Sequence, residues 1–448
     1  MFKYRQILKA ILMSKSKIFL LASLVFLLSD LIYLLYFENS GNHNFHYDNF
    51  YNFQGKVVNV DKKLDAYNLI IKPLDLQYFS GRILVSTPLY PEYHYGDILD
   101  ISCKIYRPEK IVDDNLKIFH YDKYLAKDNI FGTCFRPKIK LLREDYNFSF
   151  YIFKAKNYFW NNLNNYLIEP SSSLAKAMFL ASRREIPDYL RDVFARVGLS
   201  HMIAISGLHM AIIVWLMQSF LVSLGLSRKT ALIFLIIFLL VYLYLIGFPS
   251  SAVRASLMVI ILMLGPFLGR STESLYSLIL VADIFILINP YLLLYDIGFQ
   301  LSFLAVLGLL YYVKFFNKIL FFVTNRFSIR EVLSVTLAAQ VFTWPVIVYN
   351  FGILSIVAPL ANFIVLPFLP LVLILSMALG IFGFLPWLAN IIAWPLFIIL
   401  KIIVEVSVLL AKIPLAFIYL DNFSLVYMLL SLFFMIMITL ILKPRSYD

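Results

Sequence analysis

The sequence predicts a polytopic α-helical membrane protein with about 9–11 transmembrane helices and an external β-barrel inserted after the first of them. Three observations carry that expectation. Of 448 residues, 61% are hydrophobic and only 15% charged, well to the apolar side of a soluble domain. Beyond residue 200, apolar runs of membrane-spanning length follow one another almost to the end of the chain. Between the first such run and the rest lies a polar interval, Glu38 to Asp145, with fifteen basic and fifteen acidic residues and short alternating runs.

The first element is the apolar span Ile18 to Phe37, preceded by Lys3, Arg5, Lys9, Lys15 and Lys17. Cytoplasmic flanks retain Lys and Arg, so residues 1–37 are expected to form a cytoplasmic N-terminal segment and a first transmembrane helix, which leaves residues 38–146 external. A cleaved leader is disfavoured: the apolar stretch is too long and no small-residue cleavage site follows it. The net charge of +12 is concentrated beside membrane segments, where the same rule accounts for it. It does not by itself point to nucleic acid.

Within the external segment, "FQGKVVNV", "YNLIIKPL", "GRILVST", "GDILDISCKIY" and "NIFGTCFRP" each read as a strand bounded by Gly, Pro, Asp or Asn. Five such strands suit a barrel of oligonucleotide-binding (OB) type. Cys103 and Cys134, the only cysteines, fall near the ends of two of them. An external location permits a disulfide between them, and two buried thiols are the alternative.

Residues 147–200 turn helical without spanning. Leu174, Met178, Tyr189, Val193, Phe194 and Val197 recur at helical spacing with Arg183, Arg184, Arg191 and Arg196 between them. This pattern suits amphipathic helices lying in the membrane interface, or a flank packed on the bundle. Residues 201–448 form the multi-helix membrane domain, with apolar runs near 203–224, 230–247, 251–269, 274–290, 297–313, 331–349, 353–385, 389–411 and 424–442. Lys401 and Glu405 stand one helical turn apart within one run and are expected to pair there or to mark an interfacial helix.

An ionisable residue at membrane depth costs roughly 2.5–3.5 kcal/mol on insertion scales, so each needs a partner, a wet cavity or a task. The candidates are His201, His209, Arg254, Asp283 and Asp296, accompanied by Ser206, Ser250, Ser251, Gln300, Gln340 and Asn362. Gly207, the run "GFPSSAVRA" (Gly247 to Ala255), Pro345 and Pro359 lie beside them as helix breakers. Irregular backbone is tolerated in lipid only where protein buries it or water lines it, so these breaks point to a hydrated pathway whose mouth His201, Ser206 and His209 line or shape. The competing reading is structural: the histidines bridge helices and Arg254 pairs with Asp283 or Asp296. Ser206 and His209, three residues apart in one helix, make a poor nucleophile and base, and no Cys/His/carboxylate cluster suggests a metal.

Four blocks carry a family resemblance. "VGLSHMIAISGLHMAI" (Val197 to Ile212), "SSAVRASLM" (Ser250 to Met258), "DIGFQLSFLAVLGL" (Asp296 to Leu309) and "QVFTWPVIVYNFGILSIVAPLANFIVLPFLP" (Gln340 to Pro370) resemble the successive signature blocks of the ComEC/Rec2 competence family. "IFHYDKYLAKDNIFGTCF" (Ile118 to Phe135) resembles the end of that family's external OB-like region. The resemblance implies an inner-membrane channel that passes single-stranded DNA into the cytoplasm during natural transformation. Its membrane core would comprise His201, Ser206, Gly207, His209, Arg254, Asp296, Gln300, Gln340 and Asn362. It also implies a periplasmic or surface DNA receptor and a cytoplasmic helicase or motor as partners, with membrane lipids around the bundle and no cofactor. The HxHxDH metal site of the family's longer members does not occur in this sequence, so any strand degradation is expected to fall to another protein.

Contacts to DNA are expected from Lys104, Arg107 and Lys110 on the barrel and from Arg183, Arg184, Arg191 and Arg196 beyond it. Tyr67, Tyr78, Phe79, Tyr90, Tyr93, Tyr95 and Tyr106 offer faces on which bases could stack. The alternatives are a transporter of a small polar solute or envelope precursor, which broken helices around polar groups equally suit, and, more remotely, an intramembrane hydrolase.

Overall fold

The computed structural model describes residues 22–23, 25–30, 32–33, 47–62, 66–74, 81–112, 118–143, 148–183, 185–267, 274–324, 329–420 and 422–442. The N-terminal segment before Ile18, most of the first apolar span, and Tyr78, Phe79 and Arg184 lie outside these residues.

The polar segment after the first apolar span folds as the alternation requires. Strands β1 (Phe50–Lys62), β2 (Tyr67–Pro73), β3 (Arg82–Thr87), β4 (Ile98–Tyr106) and β7 (Ile130–Phe135) are neighbours in the order β1-β2-β3-β7-β4, and β1 pairs again with β4 to close the barrel. All pairings are antiparallel except β3 with β7, which run parallel. Every second residue points inward, so Leu69, Ile71, Ile83, Val85, Leu99, Ile101 and Ile105 are fully buried. Cys103 and Cys134 sit in this core with Cα atoms 6.3 Å apart and are joined as a disulfide.

Three features of the barrel depart from the sequence reading. Strand β8 (Lys138–Arg143) adds a sixth member outside the closure, paired with β4. The connection from β4 to β7 contains a short ladder, β5 (Ile111–Val112) with β6 (Ile118–Phe119), and a helix, α1 (Tyr121–Ala126). Tyr67 and Tyr93 are packed into the barrel core, which removes them as stacking faces, whereas Tyr90 and Tyr106 are exposed. Alternation counts inward positions but cannot say which tyrosines the closure turns inside.

The helical part begins with α2 (Phe148–Tyr166), α3 (Ser171–Leu180) and α4 (Asp188–Arg196). Its centre corrects the interfacial expectation: all ten residues of α3 are buried, because α3 is a core element of the bundle and not a surface helix. A short turn, α5 (Ser200–Ile203), leads to α6 (Gly207–Ser223), α7 (Arg228–Ile246), α8 (Ser250–Phe267) and α9 (Ser274–Ile288). Then come α10 (Tyr291–Tyr295), α11 (Ile297–Ile319), α12 (Ile329–Phe351), α13 (Ala358–Val365), α14 (Leu369–Phe382), α15 (Pro386–Ala411) and α16 (Leu425–Leu442).

Among the described residues, five segments are long and apolar enough to cross a membrane: Arg228–Ile246, Ile297–Phe322, Ile329–Phe351, Ala358–Phe382 and Pro386–Ala411. Four shorter apolar helices, α6, α8, α9 and α16, accompany them. The run 353–385 resolves into a strand followed by one broken helix. Strand β9 (Ile353–Ser355) pairs with β10 (Phe417–Tyr419), and a 3-10 turn at Leu366–Phe368 links α13 to α14 beside Pro367. Small residues let backbones approach closely: a Cβ at Gly308 of α11 would lie 2.2 Å from the Ala338 carbonyl of α12. Lys401 and Glu405 are both exposed on α15, with Nζ and Oε1 3.7 Å apart.

Candidate functional site

The polar residues of the membrane domain gather where helices break. Gly198 turns the chain between α4 and α5 at φ +75°, and a Cβ there would meet the Ala358 Cβ at 2.5 Å. After α5 the chain is extended through Ala204 to Ser206, which stands at the N-cap of α6. A second break, at Gly247 and Phe248 with positive φ, precedes Pro249 and α8. A third follows α9, where Asn289 and Pro290 end the helix, α10 intervenes, and Asp296 in extended conformation caps α11.

Hydrogen bonds tie the three breaks together. Ser251 Oγ donates to the Ile205 carbonyl at 2.5 Å, and Ser250 Oγ reaches Asp296 Oδ2 at 3.4 Å. The Ser206 N–H donates to His209 Nδ1 at 3.3 Å, and Ser206 Oγ lies 2.9 Å from the same nitrogen. Ser206 is therefore a cap and not a mid-helix neighbour of His209. His209 is 0% exposed, so its imidazole is not solvated, and its Nε2 has no hydrogen-bond partner. Among the described residues, no carboxylate bonds His209 to orient it as a catalytic base. His201 is partly exposed.

Asp296 is the centre of the arrangement. Its Oδ1 accepts the Phe299 N–H at 3.0 Å, satisfying one of the free donors at the start of α11. Its Oδ2 lies 3.6 Å from Lys127 Nζ and 4.0 Å from Arg254 Nη1. Arg254 is 0% exposed, and none of Nε, Nη1 and Nη2 has a hydrogen-bond partner. Its other neighbour is the Phe299 ring, 5.6 Å from the guanidinium carbon. Asp283, the rival partner, instead accepts from Ser23 Oγ at 2.8 Å, which holds the first helix to α9.

Lys127 belongs to the barrel, so this cluster is also where the barrel meets the bundle. Asn289 Nδ2 donates to the Lys127 carbonyl at 2.8 Å. Lys123 stands over the rings of Tyr291 and Tyr295 at 5.9 and 5.7 Å, and Lys127 Nζ is 4.2 Å from the Tyr124 ring centre. The Asp128 carboxyl is held above its ordinary range, chiefly by partial desolvation at the joint, with Lys127 opposing and Asp296 reinforcing the shift. Arg183 is exposed in the loop after α3, within electrostatic reach of Tyr124 and Asp296.

The remaining expected residues divide. Gln300 Nε2 donates to the carbonyls of Leu293 and Leu294 at 3.0 and 3.1 Å, closing the end of α10. Gly207 is exposed at the first position of α6. Gln340 lies on α12 and Asn362 on α13, away from the breaks that hold the Asp296 cluster, and Asn362 Oδ1 is buried without a hydrogen-bond partner. Lys104 is paired with Asp48 at 3.2 Å and stands over Tyr106, while Arg107 and Lys110 are exposed beyond it. Arg191 and Arg196 form pairs within α4, to Asp188 and Asp192 at 3.1 and 2.7 Å.

Sequence reasoning missed Lys127, Asn289 and the α10 aromatics. The Asn-Pro step inside an apolar run was the available signal for a break at 289–290. It also missed Lys176, which is 1% exposed, 2.6 Å from Glu185 Oε2, 3.1 Å from Asn164 Oδ1 and 4.4 Å from the Trp160 ring centre. That charge is fully partnered and serves as a structural node. Among the described residues, no group of three or more His, Cys, Asp and Glu side chains is placed to hold a metal ion.

The fold and this joint define a multi-pass helical membrane protein carrying an OB-type barrel against its polar core. Residues 178–445 match the family model described as Competence protein, which covers more than half of the chain, and the chain belongs to that family. It is 28% identical over 287 residues to ComE operon protein 3 of Bacillus subtilis (strain 168), a match covering 62% of this chain and 36% of that protein. The chain thus spans little more than a third of the relative it matches. No solved structure matches it significantly.

Proposed function

We propose that the chain forms an inner-membrane channel that carries single-stranded DNA into the cytoplasm during natural transformation. One observation carries the reading beyond the family. In OB barrels the loop between the fourth and fifth barrel strands is one of those that bind oligonucleotides. Here that loop contains α1 and Lys127 and is seated on α10 and Asp296, at the broken helices of the bundle. A strand bound on the barrel would be handed directly to the polar joint.

Under this reading residues 38–146 face outside and the N-terminus is cytoplasmic. His201, Arg254 and Asp296 form the polar wall at the joint, while Ser206, His209 and Gln300 hold its breaks open. Gly207, Gln340 and Asn362 belong to the same pathway at other levels. The exposed Arg107, Lys110, Tyr90 and Tyr106 would guide the strand weakly, in keeping with the zero net charge of Glu38 to Asp145. An external receptor would deliver the DNA and a cytoplasmic motor would draw it in.

The test is deletion of the gene in a naturally transformable host supplied with labelled DNA. DNA is expected to reach a protected external compartment and to stall there. Normal passage into the cytoplasm would overturn the reading in favour of a transporter of a small polar solute.

A further inference from the structure

The Asp296 joint is short of anionic partners. Lys127 and Arg254 both face one carboxylate oxygen, at 3.6 and 4.0 Å. Charge-assisted hydrogen bonds between nitrogen and oxygen close to about 2.7–2.9 Å, so neither cation is engaged at bonding distance. Ser250 Oγ is 3.4 Å from the same oxygen, also long. A buried guanidinium whose nitrogens make no hydrogen bond is a costly arrangement, and Arg254 has three such nitrogens at 0% exposure. The packing leaves Asp296 no means of closing the gap, because its Oδ1 is committed to the start of α11. Beside the cluster, Ser250 and Ser251 are half-buried, and the exposed Arg183 is within electrostatic reach of Asp296.

A tetrahedral anion meets this need. Its several oxygens can accept from Lys127, Arg254 and Ser250 at once, which one carboxylate oxygen at the edge of the cluster cannot do. We propose that Lys127, Arg254 and Ser250 form a binding site for a single phosphodiester group of a DNA strand, in which Asp296 is the built-in competitor that the phosphate displaces. Lys127 comes from the barrel and Arg254 from the bundle, so occupancy would replace the Lys127–Asp296 contact between them. Each phosphate would displace the contact as it passes and Asp296 would restore it afterwards, which keeps the site from holding the strand. The inference rests on the single-strand reading and adds to it the residues that engage the backbone.

The experiment uses the full chain in nanodiscs of neutral phosphatidylcholine and a fluorescent oligodeoxythymidylate, with binding followed by anisotropy over a salt series. Asp296→Asn keeps the shape and removes the competing charge, so it should tighten binding on the order of tenfold, equivalent to about 1.4 kcal/mol. Lys127→Gln and Arg254→Gln should weaken binding and each lower the salt slope by about 0.7, the value for one phosphate contact on a single strand. A gain of affinity in Asp296→Asn cannot arise from misfolding.

Unchanged or weaker binding by folded Asp296→Asn would overturn the site while leaving the channel reading standing. Absence of binding by the unaltered protein at every salt concentration would overturn both. Loss of the Asp296→Asn gain when phosphatidylglycerol is added to the nanodiscs would assign the site to a lipid headgroup and overturn the DNA assignment.

Discussion

The barrel and the bundle bury different things. The barrel core is aliphatic and aromatic and is closed by backbone pairing and one disulfide. The bundle buries Arg254, His209, Asp296, Lys176 and Asn362 among its apolar side chains. Among the described residues the barrel buries a single charge, Asp97, which accepts the His94 N–H, whereas the bundle collects several, since polar groups on helices surrounded by lipid are favoured inside, against one another. The contrast teaches how the two parts are built: the barrel is held by an apolar core, and the breaks in the helices are where the bundle's buried polar groups meet.

The comparison is broken most severely at the helix contacts that create the polar interior. Gly308→Leu would drive a side chain into the Ala338 carbonyl, and we expect loss of folded protein, read as disappearance of the monodisperse peak on size exclusion in detergent. Recovery of a folded protein would mean that α11 and α12 can separate without cost.

Next in size is Asp296→Ala. It leaves Arg254 and Lys127 without their carboxylate and α11 without its cap, so stability should fall by about 3–5 kcal/mol, the cost of breaking a buried ion pair. Chemical unfolding followed by tryptophan fluorescence checks this, because all five tryptophans lie in the bundle, at Trp160 and beyond. The Asp296→Asn variant retains a cap acceptor and should lose less. A loss in Asp296→Asn equal to that in Asp296→Ala would remove the cap from the account.

A paired Cys103→Ala and Cys134→Ala change sharpens the contrast from the other side. Opening a loop of 31 residues should destabilise the barrel by about 3–4 kcal/mol on the chain-entropy estimate. Hydrogen exchange should accelerate through β1 to β8 while the tryptophan transition stays in place. A matching shift in both would show that barrel and bundle unfold as one unit.

The smallest expected effect is at the α6 cap. Ser206→Ala removes the hydroxyl facing His209 and should cost about 1 kcal/mol in the same unfolding assay. Ser206→Asn should recover most of it, whereas a catalytic serine would tolerate neither change in a DNA-independent hydrolase assay.

Much of the molecule was legible in the sequence. Alternation in "GRILVST" and "GDILDISCKIY" has one physical meaning, a half-buried strand, and β3 and β4 follow it residue by residue. Apolar length has one meaning too, and the long helices from α6 onward overlap the predicted runs, whereas the short α10 (Tyr291–Tyr295) lies between two of them and α11 extends past its run to Ile319. The polar residues at membrane depth announced themselves, since the cost of placing a charge in lipid restricts where such residues can go. Tertiary structure alone decided which of them meet. His209 and Ser206 close a cap, Arg254 turns to Asp296 and not to Asp283, Gln300 closes α10, and Lys127 arrives from the barrel. Periodicity and composition are local quantities, fixed by neighbours along the chain. Partnership across 42 to 169 residues, as between Arg254 and Asp296 or Lys127 and Asp296, is fixed only when barrel and bundle pack and each buried charge must find an opposite one.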